Sequence, residues 1–169
     1  VTWTPSALDD RLHITLGARH TKDKKNGSQL TPAVIPFLYD AERTDPAVVV
    51  AYDINEGTNA YFKWGTAYRG GGGNERSTRF APYEADEVNA HEFGIKSDLW
   101  DRRLRINTAI FHTVWSNQQI DMVVDKENPS NTDTINAESD VTYKGAEIDI
   151  TLAPSRALTL NLNYAYLDV

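Results

Sequence analysis

The sequence predicts an all-β chain: an antiparallel up-and-down meander of about seven strands that forms a section of a large transmembrane β-barrel. Three observations carry this reading. Apolar residues recur at every second position, the period of a strand with one apolar and one polar face. The prolines fall between these runs or at their ends, where a residue without a backbone donor is tolerated. The connections alternate long and short along the chain.

The first strand lies in "RLHITLGARHT", where Leu12, Ile14, Leu16 and Ala18 oppose His13, Thr15, Gly17, Arg19 and Thr21. In "AVVVAYDI", Val48, Val50, Tyr52 and Ile54 alternate with Val49, Ala51 and Asp53. In "AYFKWGTAYR", Phe62, Trp64, Thr66 and Tyr68 oppose Tyr61, Lys63, Gly65, Ala67 and Arg69. "VNAHEFGIKSDL" sets Phe93, Ile95 and Leu99 against Glu92, Gly94, Lys96 and Asp98. "RLRINTAIFHTV" sets Leu104, Ile106, Ile110 and Val114 against Arg103, Arg105 and Asn107, and no breaker interrupts 103–124. "KGAEIDITL" places Ala146, Ile148, Ile150 and Leu152 opposite Gly145, Glu147, Asp149 and Thr151. In the last run Leu158, Leu160, Leu162, Tyr164 and Tyr166 alternate with Thr159, Asn161 and Asn163.

The connections run 25–44, 55–58, 70–86, 100–102, 125–135 and 154–156. In a meander, alternate connections fall at opposite ends, so the long loops gather at one end and the short turns at the other. That sorting is characteristic of outer-membrane barrels. The polar face then becomes a wet interior, expected to carry Arg19, Lys63, Glu92, Lys96, Arg105, Glu147 and Asp149, and the apolar face looks to lipid. Tyr68 and Tyr166 near one end, with Tyr52 and Trp100 near the other, fit interfacial girdles, whereas Trp115 is out of parity with the apolar face. Gly17, Gly65, Gly94 and Gly145 all fall on the polar face, where something packs closely or the sheet bends. A soluble β-sandwich that binds a ligand or carbohydrate assigns the same residues to opposite sides, and alternation alone does not separate the two folds.

Composition narrows the function. A formal net charge of -7 leaves no dominant basic field for nucleic acid. The absence of cysteine excludes disulfides and thiolate metal sites. The longest apolar run, "AVVVAY", is far short of the about 18 residues of a membrane helix. The chain opens on Val1, the expected start of a processed chain or of a piece of a longer one.

The runs "AYFKWGTAYRGGGGNE" and "FAPYEADEVNAHEFGIKSDLWDRRLRINTAIFHTVW" resemble the β-barrel of TonB-dependent outer-membrane receptors. The family pattern is matched by Tyr68-Arg69-Gly70, Pro82, Glu92-Phe93-Gly94-Ile95-Lys96, Arg102-Arg103 and Ala109-Ile110-Phe111, and later by Gly145-Ala146-Glu147. The resemblance covers about 45–169 and, more loosely, 8–24, with no family pattern in 25–44. It implies a receptor of the bacterial outer membrane, in contact with outer-membrane lipid and taking up a scarce extracellular solute such as a ferric siderophore. Energy comes from TonB through an N-terminal segment that this chain does not include. Such receptors carry a plug domain and a barrel of about 22 strands, so residues 1–169 are expected to be one part of a barrel domain. Substrate contact is expected from the 70–86 loop with Arg69, Asn74, Glu75, Arg76, Arg79 and Tyr83.

Other chemistry is weakly signalled, and no enzyme activity, cofactor or metal is expected. His91-Glu92 opens like a zincin motif, but Ile95 takes the place of its second histidine. Glu147 and Asp149 share a face as a glycosidase pair does, yet beside Lys96 and Arg105 they read better as part of a salt-bridge lattice. "RGGGGNER" lacks the G-K-[ST] of a phosphate loop and reads as a flexible loop. "DKENPSNTDT" has the acidity of a cation site without the EF-hand glycine, and reads as a solvated turn. "NGS" at Asn26 matches the glycosylation pattern, which has meaning only in a eukaryotic secreted protein.

Overall fold

A computed structural model describes residues 2–29, 34–74 and 80–169. Eleven strands form among the described residues: β1 (Thr2–Trp3), β2 (Ser6–Ala7), β3 (Leu12–Gln29), β4 (Ile35–Asn55), β5 (Thr58–Arg69), β6 (Asp86–Leu99), β7 (Leu104–Ser116), β8 (Gln119–Val123), β9 (Thr132–Asn136), β10 (Val141–Ser155) and β11 (Leu158–Asp168). One antiparallel sheet has the order β1-β3-β4-β5-β6-β7-β10-β11, with β2 also on β3, while β8 and β9 pair separately. The wall strands follow one another in chain order, as a meander requires, with the β8–β9 hairpin set between β7 and β10.

The wall has an eighth strand that alternation does not show. Thr2↔Gly17 and Trp3↔Leu16 share one register with Ser6↔His13 and Ala7↔Leu12, so β1 and β2 are two pieces of a single edge strand. Pro5 interrupts it because it has no N–H, but its carbonyl still accepts from the Ile14 amide at 3.1 Å.

The connections sort as expected at one end. Glu56–Gly57 and Arg156–Ala157 are tight turns. The other two short turns share the sequence Asp-x-Arg-Leu and one geometry. Leu8, Asp9 and Asp10 have φ of 57°, 55° and 62°, and Trp100, Asp101 and Arg102 have 54°, 54° and 65°. Each turn closes by an amide of the following arginine, Arg11 to Leu8 O at 3.2 Å and Arg103 to Trp100 O at 3.0 Å. Left-handed backbone costs about 1–2 kcal/mol per residue away from glycine, so the flanking registers must hold these turns in place.

At the other end the structure corrects two expectations. The stretch 25–44 is mostly strand: β3 and β4 run 18 and 21 residues and stay paired from Leu12↔Tyr52 to Gln29↔Ile35. Residues 22–29 are polar throughout and Phe37, Leu38 and Tyr39 follow one another in β4, so the extension carries no apolar alternation. Opposite charges across the ladder mark it instead: His20–Glu42 at 2.9 Å, Lys22–Glu42 at 3.2 Å and Lys24–Asp40 at 3.3 Å. Pro36 and Pro46 lie inside β4 rather than beside it, where β4 has parted from β5 and only β3 flanks it. Pro154 lies within β10, at the irregularity between Leu152 and Ser155; Pro32 is outside the described residues. The run 103–124 breaks at Asn117, with φ of 53°, and the chain then forms the β8–β9 hairpin in place of a plain loop.

Register settles the two faces. One row joins Ile14, Val50, Phe62, Phe93, Ile110, Ala146 and Tyr166 across the wall. The row of opposite parity joins Asp53, Asn59, Lys96, Asn107, Asp149 and Asn163. Among the described residues no apolar side chain is buried, and Phe62, Phe93 and Ile110 are 40%, 45% and 59% exposed. A sheet with a full apolar face and no core has its apolar contacts outside this chain. Trp115 stands on the polar face, in register with Val88 and Val141 and packed against Tyr143.

Candidate functional site

Chemistry-bearing side chains collect in two places. The first is the polar face. Asp53 accepts from Asn59 at 2.8 Å and meets His13 at 3.0 Å, while Arg11 donates to the Asp53 and Ile54 carbonyls at 2.9 and 2.6 Å. Asp98 takes Arg105 in a two-pronged pair at 2.6 and 2.8 Å. Glu92 accepts from the Tyr61 hydroxyl at 2.8 Å and from Lys63 at 3.3 Å, and Lys96 lies over the Tyr61 ring at 5.3 Å. Arg19 faces Asp45 in register, but the Asp45 carboxylate takes Arg43. Glu147 and Asp149 line a concavity of about 750 Å³ with Tyr61, Lys63, Glu92 and Lys96. Arg105 pairs with Asp98 rather than with either of them.

The close packing expected at the polar-face glycines has a specific cause at Gly94. A Cβ there meets the Tyr61 ring at 2.5 Å, so the missing side chain is what lets Tyr61 lie flat and reach Glu92. Gly94→Val is expected to displace the ring and cost about 1–3 kcal/mol. Denaturant unfolding measures this, and an unchanged midpoint rules the account out.

The second place is the long-loop end, where three segments are locked together. Arg69, closing β5, donates to the buried Asp86 at 2.6 Å. Asp86 also accepts from the Gln119 amide at 3.2 Å, and the Gln119 side chain donates to the carbonyls of Gly70 at 3.2 Å and Glu84 at 2.9 Å. Asn136 on β9 donates to Glu84 O and accepts from Glu84 N at 3.0 and 2.7 Å. Asn74, only 4% exposed, donates to Ala81 O and Thr134 O at 3.2 and 3.0 Å and accepts from Thr134 N at 2.7 Å. Amide side chains thus clasp the β5–β6 loop to the β8–β9 hairpin.

The third segment is the β3–β4 extension. Gly72 and Tyr83 exchange backbone hydrogen bonds at 3.0 and 2.8 Å, which folds the glycine run back on itself against that extension. None of the described glycines has positive φ, so Gly70 to Gly73 serve close approach rather than turning. A Cβ at Gly71 meets the Tyr83 carbonyl at 2.5 Å and the Tyr39 ring at 2.9 Å; at Gly73 it falls into the Phe37 ring, and at Gly70 onto the Asp23 carboxylate. Lys25 donates to Gly71 O at 2.9 Å. The reading of this run as a flexible loop is therefore corrected: it is a packed seam. Arg43 binds Asp45 at 2.9 Å and also Glu87, and lies over the Tyr68 ring. Hydrogen bonding to Glu87, then to Asp45, raises the Arg43 pKa against the opposing effect of burial.

Of the loop candidates, Arg69 and Asn74 are held in these internal contacts, and Tyr83 lines a cleft of about 470 Å³ with Phe37, Tyr39, Pro82 and Glu84. Glu75, Arg76 and Arg79 lie outside the described residues. Sequence reasoning missed Asp86, Gln119, Asn136, Phe37 and Tyr39; only the glycine run hinted at a seam needing aromatic partners. Among the described residues no group of three or more His, Asp or Glu gathers to hold a metal, and no described helix is long and apolar enough to cross a membrane.

With this geometry in place, comparisons locate the chain. The family model described as TonB dependent receptor-like, beta-barrel matches residues 1–169. The ferric yersiniabactin uptake receptor FyuA from Yersinia pestis superposes with a TM-score of 0.72 at 17% identity, over 94% of this chain and 24% of that one. The pyoverdine outer-membrane receptor FpvA from Pseudomonas aeruginosa PAO1, bound to pyoverdine, gives 0.68 at 21%, over 98% of this chain and 23% of that one. The siderophore receptor PiuA from Acinetobacter baumannii gives 0.67 at 19%, over 94% and 23%. The chain spans about a quarter of the length of these structures.

Proposed function

The chain belongs to the TonB-dependent receptor-like β-barrel family, and from that premise we propose that it is a wall section of an outer-membrane receptor that imports a ferric siderophore. The family consists of receptors and transporters of the outer membrane rather than enzymes, so Glu147 and Asp149 are not read as a glycosidase pair. The observation that carries the proposal is the two-faced wall: an exposed apolar row backed by a charged row, in a sheet with no apolar core among the described residues. In a barrel the first faces lipid and the second lines the lumen. The soluble β-sandwich reading is less favoured, because a sandwich buries its apolar face against a second sheet.

Residues 1–169 form part of the barrel domain on this reading, with plug and TonB-contacting segment supplied elsewhere in the receptor. Arg19, Lys63, Glu92, Lys96, Arg105, Glu147 and Asp149 line the lumen. At the long-loop end Tyr83 and its aromatic cleft meet the siderophore, joined by Glu75, Arg76 and Arg79, while Arg69 and Asn74 shape the loop that presents them. The siderophores named for similar receptors support the substrate class.

Two experiments test this. Spin labels at Ile106, Ile148 and Leu160 of the intact receptor in bilayers are expected to report lipid, and labels at Asn107 and Asn161 to report water; water at all five rejects the barrel. Expression in a bacterium lacking its own siderophore receptors is expected to restore iron-limited growth with at least one ferric siderophore of a broad panel, dependent on TonB. Growth with none, or growth that survives loss of TonB, rejects the transport reading while leaving the wall intact.

A further inference from the structure

The apolar face changes character within one row. Phe93, Ile110, Ala146 and Tyr166 form a row across β6, β7, β10 and β11, and Ile95, Thr108, Ile148 and Tyr164 form the next row towards the short turns. Ala146 and Thr108 are the small members of these rows, so a trough of about 330 Å³ opens between Phe93, Ile110, Ile148 and Tyr164. Two residues the other way along each strand, about 7 Å nearer the long loops, the row reads Trp64, His91, His112, Lys144 and Asp168. Three basic side chains thus stand side by side at the head of an apolar trough. Both histidines have a strand of this chain on either side, and Trp64 and Lys144 are their outer neighbours in the row.

This row marks the upper edge of the apolar band. Trp64 donates from Nε1 to Asn89, one row higher, at 3.0 Å, the posture of a tryptophan at a membrane interface. The His91 ring lies beside Phe62, 6.2 Å between centroids, and His112 is exposed. Lys144, 60% exposed, pairs with Asp168 at 3.0 Å. On the wall strands from β6 to β11 two carboxylates share this parity, Asp168 and Glu87, and Glu87 is bound by Arg43. An ion pair as exposed as Lys144–Asp168 contributes little, so the lysine turns readily to a stronger acceptor. A histidine presents an N–H donor in either protonation state. We propose that this column binds one anionic phospholipid of the leaflet at the long-loop end. Its phosphate meets His91, His112 and Lys144, and an acyl chain lies in the trough below. Charge complementarity and the continuity of basic row and trough select this occupant: a free phosphate leaves the trough empty, and a neutral lipid leaves the basic row unanswered. The proposal rests on the lipid-facing reading of the wall.

The test places a fluorophore on Ile95→Cys, beside the trough, or on Val50→Cys, two strands from Phe93 on the same face. The intact receptor, without other reactive cysteines, is inserted in vesicles that mix phosphatidylglycerol with phosphatidylcholine, one of the two brominated to quench. At Ile95 phosphatidylglycerol is expected to be preferred about tenfold, and at Val50 no more than about twofold. Lys144→Gln is expected to lower the preference at Ile95 about fivefold, and Lys144→Arg, which keeps the charge, to preserve it. In the unaltered receptor the preference is expected to fall as salt rises, a readout that needs no binding-site variant to assemble. Quenching by both lipids without preference at Ile95, or with the same preference at Val50, overturns the site and leaves the wall standing. No quenching at either label overturns the lipid-facing reading and the site with it. A preference unmoved by Lys144→Gln or by salt overturns the proposal. So does loss of the preference in millimolar inorganic phosphate or glycerol phosphate at constant ionic strength, which makes the row a site for free phosphate.

Discussion

Ile110→Arg is expected to destabilise the membrane-inserted barrel by about 2–4 kcal/mol, the range for arginine on a lipid-facing strand near the bilayer midplane. Ile110 sits in mid-β7, is 59% exposed, and is flanked in its row by Phe93 and Ala146. An arginine there must either snorkel or thin the bilayer around it. Asn107→Arg, on the same strand but the opposite face, arrives between Lys96 and Asp149 in register. It is expected to change stability by no more than about 0.5 kcal/mol, as surface substitutions usually do. Reversible unfolding of the receptor in lipid vesicles compares the two. Equal losses, or a larger loss at Asn107, place lipid on the wrong face and discard the barrel orientation.

The contrast between these two residues shows what was legible in the sequence. A strand with one greasy and one wet face writes its orientation at period two, and every wall strand from β3 to β11 did so. What failed to register had a physical reason in each case. The edge strand of β1 and β2 is two dipeptides split by Pro5, too short to alternate. The β3–β4 extension has no apolar period of two, so its signal is charge pairing across the ladder, visible only once the register is known. The β8–β9 hairpin follows β7 after a single positive-φ residue, Asn117, which no turn motif announces.

The site was less legible than the wall. Position along the chain singled out a loop but not the work of its residues. Arg69 and Asn74 look like ligand contacts in a list of polar loop residues, yet their partners, Asp86 and Thr134, come from other segments. The glycine run looked permissive, but without positive φ its purpose is nearness to Phe37, Tyr39 and Tyr83. Such facts are tertiary. They depend on which chain segment lies against which, and composition is blind to that.

Asp86→Ala is accordingly expected to loosen the long-loop end while leaving the wall folded. The carboxylate is 2% exposed and joins three elements: Arg69 at the end of β5, its own position at the start of β6, and the Gln119 amide at the start of β8. Hydrogen bonds to a charged acceptor contribute about 1.5–3 kcal/mol each, but the Arg69 side chain is 56% exposed, so its share is screened. A net local loss of about 2 kcal/mol follows, or roughly 30-fold more frequent opening of the clasp. Hydrogen exchange at Gln119 and proteolysis within 70–85 should both rise by about that factor, with the denaturation midpoint of the barrel nearly unchanged. Asp86→Asn, which keeps one acceptor oxygen, should fall between. Once a ligand is in hand, its affinity should weaken in the same order, because a site built on the Gly72–Tyr83 seam is presented only while the clasp is shut. If exchange and proteolysis stay at the unaltered rate in Asp86→Ala, the clasp is not what orders this end, and the burden passes to the aromatic seam of Phe37 and Tyr39 against the glycines.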